Sequence, residues 1–265
     1  MRLFVSGLQK LSTRMATLLT FGLLAGLLVM IDLAVAATGG GGAYDGGDPL
    51  ALITFPGAYD LILSFLFGLG GLFAVIYGAA IAGSEWTWGT LKTAVVRGES
   101  RSRYLLSTFA AIAVVLAIGL LIAFVIGVAA AALGSTIAGI PLDGIGDSAV
   151  LGRLPEHFAR GWVAITATAA LGFAVATLAR SQLAVIGVGI AFYFGETFAG
   201  IFLPDVVRYG PFHLSAAAVG GGGGFGGAPD PAALSTNVAL VLVTIWLLGS
   251  LVVAAGFSER AEITG

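Results

Sequence analysis

The sequence predicts an all-α integral membrane protein with six transmembrane helices and both termini in the cytoplasm. Three observations support this fold class. The 265 residues are 58% hydrophobic and only 10% charged, whereas soluble domains contain about 25% charged residues. The apolar residues form continuous runs, which favour helices over the alternating pattern of a β-barrel. Lys and Arg residues collect in alternate loops, which indicates the direction of insertion.

The apolar runs are long enough to form six spans within a single transmembrane domain. About 20 mostly apolar residues cross about 30 Å of hydrocarbon as an α-helix. The third run is long enough to tilt or to project beyond the bilayer. We expect spans at about 16–36, 59–82, 105–132, 161–179, 183–203 and 234–257.

The orientation follows from the distribution of the basic residues. One set of loops contains Arg2, Lys10, Arg14, Lys92, Arg97, Arg101, Arg103, Arg180 and Arg260. The other set contains only Arg153, Arg160 and Arg208. Cytoplasmic loops carry the excess of Lys and Arg, so the first set and both termini are predicted to be cytoplasmic. The expected location is the plasma or inner membrane.

The first span has one alternative interpretation. Arg14, an apolar run and then 34–37 (Ala-Val-Ala-Ala) resemble a cleavable signal peptide. The run is long for a signal peptide, and Asp32 precedes the small residues. Cleavage would also leave five spans and place the charged loops on conflicting sides. We therefore expect an uncleaved span.

Composition and motifs exclude several functional classes. The net charge of −2 gives no basic excess for nucleic acid, and the absence of Cys excludes disulfides and thiolate metal sites. The glycine run 220–224 lacks the Gly-Lys-Ser/Thr of a phosphate-binding loop. His157 and His213 are expected to be surface residues of outer loops, and no protease motif occurs. We expect no enzymatic activity, no metal and no cofactor in this chain.

Two further segments have interfacial patterns. Residues 1–15 place Phe4, Leu8, Leu11 and Met15 at helical spacing, which predicts an amphipathic helix at the membrane surface and contact with lipid headgroups. In the outer loop 204–233, the apolar segment 206–219 predicts a short or re-entrant helix, and such backbone must be shielded by protein or water.

The loop at 84–103, between spans two and three, carries the main candidate functional residues. Trp88, Leu91 and Val95 form one stripe of a short helix, and Gly98 is placed to end it. Such a helix would present apolar side chains flanked by charges to a soluble partner. The alternative is a basic loop that only fixes topology. Glu85 argues against that alternative, because a carboxylate at the membrane edge does nothing for orientation.

These residues resemble the permease subunits of ABC-2 type transporters. The similarity lies in Glu85, the segment 89–92 (Gly-Thr-Leu-Lys), 97–98 (Arg-Gly) and 100–101 (Ser-Arg) before a long span. The segment 8–14 also resembles the amino-terminal elbow of that family. The similarity covers residues 1 to about 110, and the remainder agrees only in span count and loop lengths.

The resemblance implies a six-span half-transporter of the type V exporter fold, paired with a second permease chain and a separate ATP-binding subunit that holds ATP and Mg²⁺. It implies that the loop after span two is a coupling helix in contact with the ATPase, formed by Glu85, Trp88, Gly89, Thr90, Leu91, Lys92, Val95, Arg97 and Arg101. The turn at Arg180 and Ser181 would be a minor second contact, or equally a tight helix–helix turn with one orienting Arg.

Polar and small residues inside the spans complete the candidates. Asp32 is expected near the outer end of span one, within reach of water. Glu196 lies deeper. It either lines a substrate path or dimer seam, makes an interhelical hydrogen bond, or faces a hydrated outer vestibule. Gly22 and Gly26 form a small-xxx-small motif, and the resemblance implies dimerisation through spans one and five.

The sequence supports two functional hypotheses. The first is a permease subunit of an ATP-driven exporter for a hydrophobic or amphipathic substrate. The second is a membrane protein that does not use ATP, such as a secondary carrier or an immunity or structural protein. A carrier should show more polar or broken spans near the midplane.

Overall fold

The computed structural model describes residues 2–38, 48–88, 90–96, 98–220 and 234–260. Within these ranges the chain is helical, with two short 3-10 turns at Pro49–Leu52 and Asp143–Gly146. The α-helices are α1 (Arg2–Ser12), α2 (Met15–Ala37), α3 (Gly57–Thr87), α4 (Thr90–Val96), α5 (Arg101–Ile137), α6 (Ser148–Ala179), α7 (Gln182–Phe202), α8 (Pro204–Val207), α9 (Pro211–Ala218) and α10 (Thr236–Arg260).

Five of these helices, α2, α3, α5, α6 and α10, are long and apolar enough to cross a bilayer. The chain is therefore an all-helical, multi-pass membrane protein, as predicted. The remaining predicted span corresponds to α7, whose apolar stretch Ile186–Phe202 is shorter than the other five. The sixth crossing stays a prediction.

The centre of the bundle is α3, which packs most extensively against α6. Two glycines permit this close approach. A Cβ atom at Gly78 would overlap the backbone oxygen of Ala169, and a Cβ atom at Gly172 would overlap the backbone oxygen of Val75. Small residues allow helix backbones to approach in a membrane, where dispersion contacts rather than water exclusion hold helices together.

The helices define two ends of the bundle. One end, called here the Glu85 end, contains α1, α4, the carboxyl ends of α3, α6 and α10, and the beginning of α5. At the opposite end lie the two 3-10 turns. There, the Tyr59 hydroxyl donates to the Ile145 carbonyl at 2.7 Å, and Ser135 Oγ donates to the Ile53 carbonyl at 2.6 Å. α9 reaches the middle of α3, where a Cβ atom at Gly71 would lie 3.6 Å from the Phe212 ring.

The amino-terminal helix is shorter than predicted. α1 ends at Ser12, and Met15 is an exposed residue of α2 rather than part of the amphipathic stripe. Leu11 is fully buried, and Phe4 and Leu8 pack against the same core. The apolar side of α1 therefore lies on α5 of its own chain.

The connection between α5 and α6 is shorter than the predicted spans at 105–132 and 161–179 imply. α5 continues to Ile137, and α6 begins at Ser148, where Asp147 accepts hydrogen bonds from the amides of Ala149 and Val150. Pro155 lies inside α6. It falls in the eighth position of this helix. His157, predicted in a loop, is instead a helical residue whose ring contacts the Arg153 carbonyl.

The segment after α7 folds as a helical hairpin. α8 and α9 are separated at Gly210, where the chain turns back, and Leu214 and Ala218 of α9 are buried against the bundle. α9 packs mainly against α10 and α6. The prediction of a short or re-entrant helix within 206–219 agrees with this hairpin.

Candidate functional site

The candidate site is built around Glu85, a carboxylate in the last turn of α3. Its side chain is only 1% exposed. Burying an ionised carboxylate is costly unless cations and hydrogen-bond donors surround it. The structure supplies both, and they come from three other parts of the chain.

Two cations from the amino-terminal segment contact the same oxygen of Glu85. Lys10 Nζ of α1 lies 2.7 Å from Oε1, and Arg14 Nη2 lies 3.0 Å from it. Arg14 Nη1 also donates to Ser84 Oγ at 2.7 Å. Arg14 therefore binds two adjacent side chains of α3 and fixes the connection between α1 and α2 to the end of α3.

The second oxygen of Glu85 faces α4 and α5. Tyr104 of α5 donates its hydroxyl to Oε2 at 2.6 Å, and Thr90, the first residue of α4, donates to the same oxygen. Glu85 thus joins α1, α3, α4 and α5 through one carboxylate. We call Lys10, Arg14, Glu85, Thr90 and Tyr104 the Glu85 junction.

Nearby, cation–π contacts of Arg180 connect the ends of α6 and α10 to α3. The Arg180 guanidinium lies 5.3 Å from the Trp86 ring centre and 5.7 Å from that of Phe257. Arg180 has a left-handed backbone (φ 51°) that ends α6. Whether this turn also contacts a partner stays a prediction. Ser181 lies beside it, between α6 and α7.

The beginning of α5 is held by the end of α10. Arg101 Nη1 donates to the Ser258 carbonyl at 3.2 Å, and the Ser102 amide donates to Glu259 Oε1 at 3.2 Å. Ser100 is the N-cap residue, yet its side chain makes no capping hydrogen bond. The carboxylate of Glu259 therefore accepts the exposed amide that a capping side chain would otherwise satisfy.

The short helix predicted in the loop at 84–103 is α4, and its faces differ from the prediction. Leu91 is only 2% exposed and belongs to the main core, so it is not an apolar knob for a partner. Val95 is half-buried. The exposed apolar residues at this position are Trp88 at 66% and Val96 at 87%. The Arg14 guanidinium also lies 5.0 Å from the centre of the Trp88 ring.

The structure leaves part of this predicted set undescribed. Gly89 and Arg97 lie outside the described residues, and of Lys92 only the helical backbone is described. Gly98 has a φ of +86°, and its amide donates to the Val95 carbonyl, as expected for a glycine that ends a helix.

The sequence pattern did not reveal Lys10, Arg14 and Tyr104 as partners of Glu85. Lys10 and Arg14 were interpreted as topology determinants, and Tyr104 lies just before the predicted start of span three at 105. The available signal was a lone acid at the end of an apolar run together with two cations four residues apart in the amphipathic segment. Sequence spacing alone does not show that these groups meet, since about 70 residues separate them.

Glu196 has a structural role in this chain. Its carboxylate accepts from the backbone amides of His213 at 2.8 Å and Phe212 at 3.3 Å, and contacts His213 Nδ1 at 3.0 Å. These amides are in the first turn of α9, so Glu196 caps that helix from α7. The interpretation as an interhelical hydrogen bond fits these contacts. His213, predicted in an outer loop, is a residue of this capped helix.

Asp32 differs from its prediction. The side chain is fully buried rather than in reach of water, and neither carboxylate oxygen has a hydrogen-bond partner among the described residues. Gly22 and Gly26 are exposed on the outer face of α2, and a Cβ atom at either position would contact nothing within 4 Å. The tight packing within the chain therefore comes from other glycines, and the dimer role of this pair stays a prediction.

Comparisons with known proteins identify a family without assigning an activity. A family model described as "Protein of unknown function (DUF2705)" matches residues 48–214, from the turn before α3 into α9. Among curated relatives, the uncharacterized protein YhcI of Bacillus subtilis (strain 168) is 26% identical over 212 residues. The alignment covers 74% of this chain and 65% of YhcI, slightly less than two thirds of that relative's length.

Proposed function

Because the chain belongs to the DUF2705 family of proteins of unknown function, we propose a function from its own geometry. The chain is the permease subunit of an ATP-binding-cassette exporter in the cell membrane. A separate subunit binds ATP and Mg²⁺ and hydrolyses the nucleotide, and a second permease chain completes the path. The substrate class is hydrophobic or amphipathic.

The Glu85 junction is the observation that carries this proposal. α4 is a short helix between two long membrane helices, and Glu85 joins its first residue to α1, α3 and α5. Leu91 anchors α4 in the core, while Trp88 and Val96 remain exposed. A force on α4 would thus reach three other helices through a buried polar network rather than be lost in a flexible loop.

The orientation that the proposal requires agrees with the positions of the charges. Lys10, Arg14, Arg101, Arg180 and Arg260 are all carried by elements at the Glu85 end. By the positive-inside rule, the Glu85 end is cytoplasmic. If α7 forms the sixth crossing, α1 and the end of α10 both lie on that side, where a soluble ATPase has access to α4.

Photocrosslinking at Val96 tests the proposal. A photoreactive amino acid at this exposed position should crosslink in cells to a nucleotide-hydrolysing subunit. The matched control is Val125, which is also exposed but lies in the middle of α5, where lipid is expected. If position 96 yields no ATP-hydrolysing protein while the chain remains folded in the membrane, the coupling role is wrong.

A charge substitution gives the functional counterpart of that test. Leu91→Asp is unsuitable, since Leu91 is buried and a charge there would disrupt folding. Val96→Asp changes only the exposed face and should lower ATPase-dependent transport about tenfold or more, equivalent to about 1.4 kcal/mol of lost coupling. Unchanged transport by Val96→Asp would argue against docking at α4.

A secondary carrier is the second candidate, and Asp32 favours it. Ionisable residues inside a membrane mark ion or substrate paths in many transporters. Asp32 is buried on α2 without a described partner. A carrier would transport its substrate in vesicles that lack any ATPase and nucleotide, whereas the permease subunit alone would not.

A further inference from the structure

Asp32 interrupts an otherwise apolar stripe of α2. The buried residues Leu24, Leu28, Asp32 and Ala36 recur every four positions, so they lie on one face of the helix. This face packs against α5. Leu28 lies over Gly127, and the backbone of Asp32 and the side chain of Ala36 lie over Gly134. A carboxyl group occupies the position in this stripe where an apolar side chain would be expected.

The surroundings of Asp32 provide no compensating charge. Between Gly127 and Gly134, the buried residues of α5 are Ala130 and Ala131. Among the described residues, neither oxygen of Asp32 receives a hydrogen bond, and no ion pair involves it. Two polar side chains of α5 lie near this level. Buried Ser135 donates its hydroxyl to the Ile53 carbonyl, and exposed Thr136 donates to the Leu133 carbonyl.

The titratable groups on the helices around α2 are engaged elsewhere. On α3, the Tyr59 hydroxyl donates to the Ile145 carbonyl, and Asp60 is exposed. Asp48 accepts the Leu50 amide at the start of the 3-10 turn. The remaining charged and phenolic groups of α1, α3 and α5 lie at the Glu85 end. The nearest of these groups is Tyr77. It is hydrogen-bonded to Thr17, which lies 15 residues, or about 22 Å, from Asp32 along α2.

An ionised carboxylate in this position would be unfavourable. A charged residue at the centre of a membrane helix costs roughly 2.5–3.5 kcal/mol on insertion scales. The cost is smaller at Asp32, nearer the end of α2, but no hydrogen bond from the described residues offsets it. The group must therefore be neutral or hold a cation. A metal ion needs several oxygen or nitrogen ligands, and no cluster of three or more His, Cys, Asp or Glu occurs in the described parts of the chain.

We propose that Asp32 is an intramembrane proton-binding site that holds its proton at neutral pH. Asp32 lies five residues, or about 7.5 Å, before the end of α2 at Ala37. The site is thus closer to the opposite end of the bundle than to the Glu85 end, and it exchanges its proton with that side. The inference does not depend on the proposed function, because either a permease subunit or a carrier could contain it.

Modification by a hydrophobic carbodiimide tests the site in the full chain, in native membranes. A protonated carboxyl group adds its O–H across one C=N bond of dicyclohexylcarbodiimide, and the O-acylisourea rearranges to a stable N-acylurea. No oxidant or reductant is needed. Peptide mass spectrometry should find this adduct on Asp32, with labelling that persists at neutral pH and declines only as the pH is raised further.

Two other carboxylates provide matched controls. Glu196 is also buried but accepts two backbone amides, and Asp60 is exposed. Both should react at least tenfold more slowly than Asp32 at neutral pH. A water-soluble carbodiimide should instead prefer Asp60. Absence of the Asp32 adduct between about pH 5 and about pH 9 would overturn the proposal, as would equal labelling of Asp32 by the water-soluble reagent.

Substitutions of Asp32 distinguish a proton-binding site from a buried acidic residue that has no such role. Asp32→Leu restores the apolar stripe and should fold at least as well as the unmodified chain, with a higher Tm. Infrared spectra of Asp32→Leu and Asp32→Asn should both lack one carbonyl band of a protonated carboxylic acid that is present in the unmodified chain at neutral pH. If that band is absent from the unmodified chain, or survives both substitutions, Asp32 does not hold the proton.

Discussion

Glu85 illustrates how one residue can set the energetics of an entire end of the bundle. Its carboxylate has two cations on one oxygen and two hydroxyl donors on the other. Such an arrangement offsets the desolvation of the charge through short, charge-assisted hydrogen bonds. The same arrangement makes the site sensitive, because loss of Glu85 leaves a buried cation unpaired, and loss of any donor leaves the buried carboxylate less compensated.

Glu85→Gln should therefore destabilise the protein. The amide keeps the shape of the side chain but removes the negative charge, leaving the Arg14 guanidinium, only 11% exposed, without its ion-pair partner. Breaking a buried pair by removing one member costs about 3–5 kcal/mol. We expect a lower Tm in detergent, followed by tryptophan fluorescence, since Trp86 and Trp88 adjoin the site.

The exposed pair Arg103–Glu99 provides the control. Its atoms are 3.9 Å apart and the Arg103 side chain is 71% exposed, so Glu99→Gln should change the stability by less than about 1 kcal/mol. Combining Glu85→Gln with Arg14→Gln should recover part of the loss, because the unpaired cation is then removed. Equal effects of Glu85→Gln and Glu99→Gln would contradict the interpretation of the Glu85 junction.

Glu196 carries a prediction of local rather than global stability. Glu196→Ala removes the acceptor of the Phe212 and His213 amides, and loss of a helix cap costs about 0.5–2 kcal/mol. Hydrogen exchange of residues 211–218 should accelerate, while that of α3 stays unchanged. Glu196→Gln keeps an acceptor oxygen and should show a smaller effect. Unaltered exchange in Glu196→Ala would argue against the capping role.

At the scale of elements, the crossing of α3 and α6 depends on two glycines that face each other's backbone. Gly78 lies against Ala169, and Gly172 lies against Val75. The close approach gives dispersion contacts between backbones, which are the main source of helix association in lipid. α4 has the opposite character, since a single polar junction and Leu91 hold it in place.

Gly78→Ala and Gly172→Ala should each separate α3 from α6. The new Cβ atom meets a backbone atom, which cannot rotate away as a side chain would, and overpacking typically costs about 1–3 kcal/mol. Lower yields of folded protein and a lower Tm are expected. Gly22→Ala has open space around the new atom and should be neutral or slightly stabilising in the monomer. A similar loss of stability in all three variants would show that the close approach of α3 and α6 does not determine the stability.

At the scale of the whole molecule, the absence of cysteine makes the topology directly testable. Single cysteines can replace Gln9 at the Glu85 end and Asp143 at the opposite end, both exposed. A membrane-impermeant maleimide should label Asp143→Cys in intact cells and Gln9→Cys only after permeabilisation. The reverse result would overturn the orientation, and with it the docking of a cytoplasmic ATPase at α4.

The exposed face of α2 carries the prediction for assembly. If two chains pair through this helix, Gly22→Cys and Gly26→Cys should form intermolecular disulfides in membranes. Leu24→Cys is the matched control, because Leu24 faces the interior of its own chain. Crosslinking that is equal at all three positions, or absent at the two glycine positions, would exclude a dimer seam at this face.

The extent of sequence-based prediction differed between elements. Span positions were close, since α2 and α10 begin and end within about three residues of the predicted ranges, and uninterrupted apolar runs define them. The beginning of α6 was missed, because the helix starts at Ser148, 13 residues before the predicted span at 161, in a stretch that contains charged residues and Pro155. Leu91 was placed on the wrong face, because the periodicity of a seven-residue helix does not show which side is covered.

The sequence by itself determined that the chain is a helical membrane protein, where its long helices lie and that the loop after the second of them contains a short helix. These properties follow from local composition and period, which neighbouring residues along the chain determine. The tertiary structure decided which charges meet. Glu85 is joined to Lys10 and Arg14 across about 70 residues of chain, whereas Asp32 is left without a described partner. Such pairings depend on how helices pack, and burial then fixes their energetic weight.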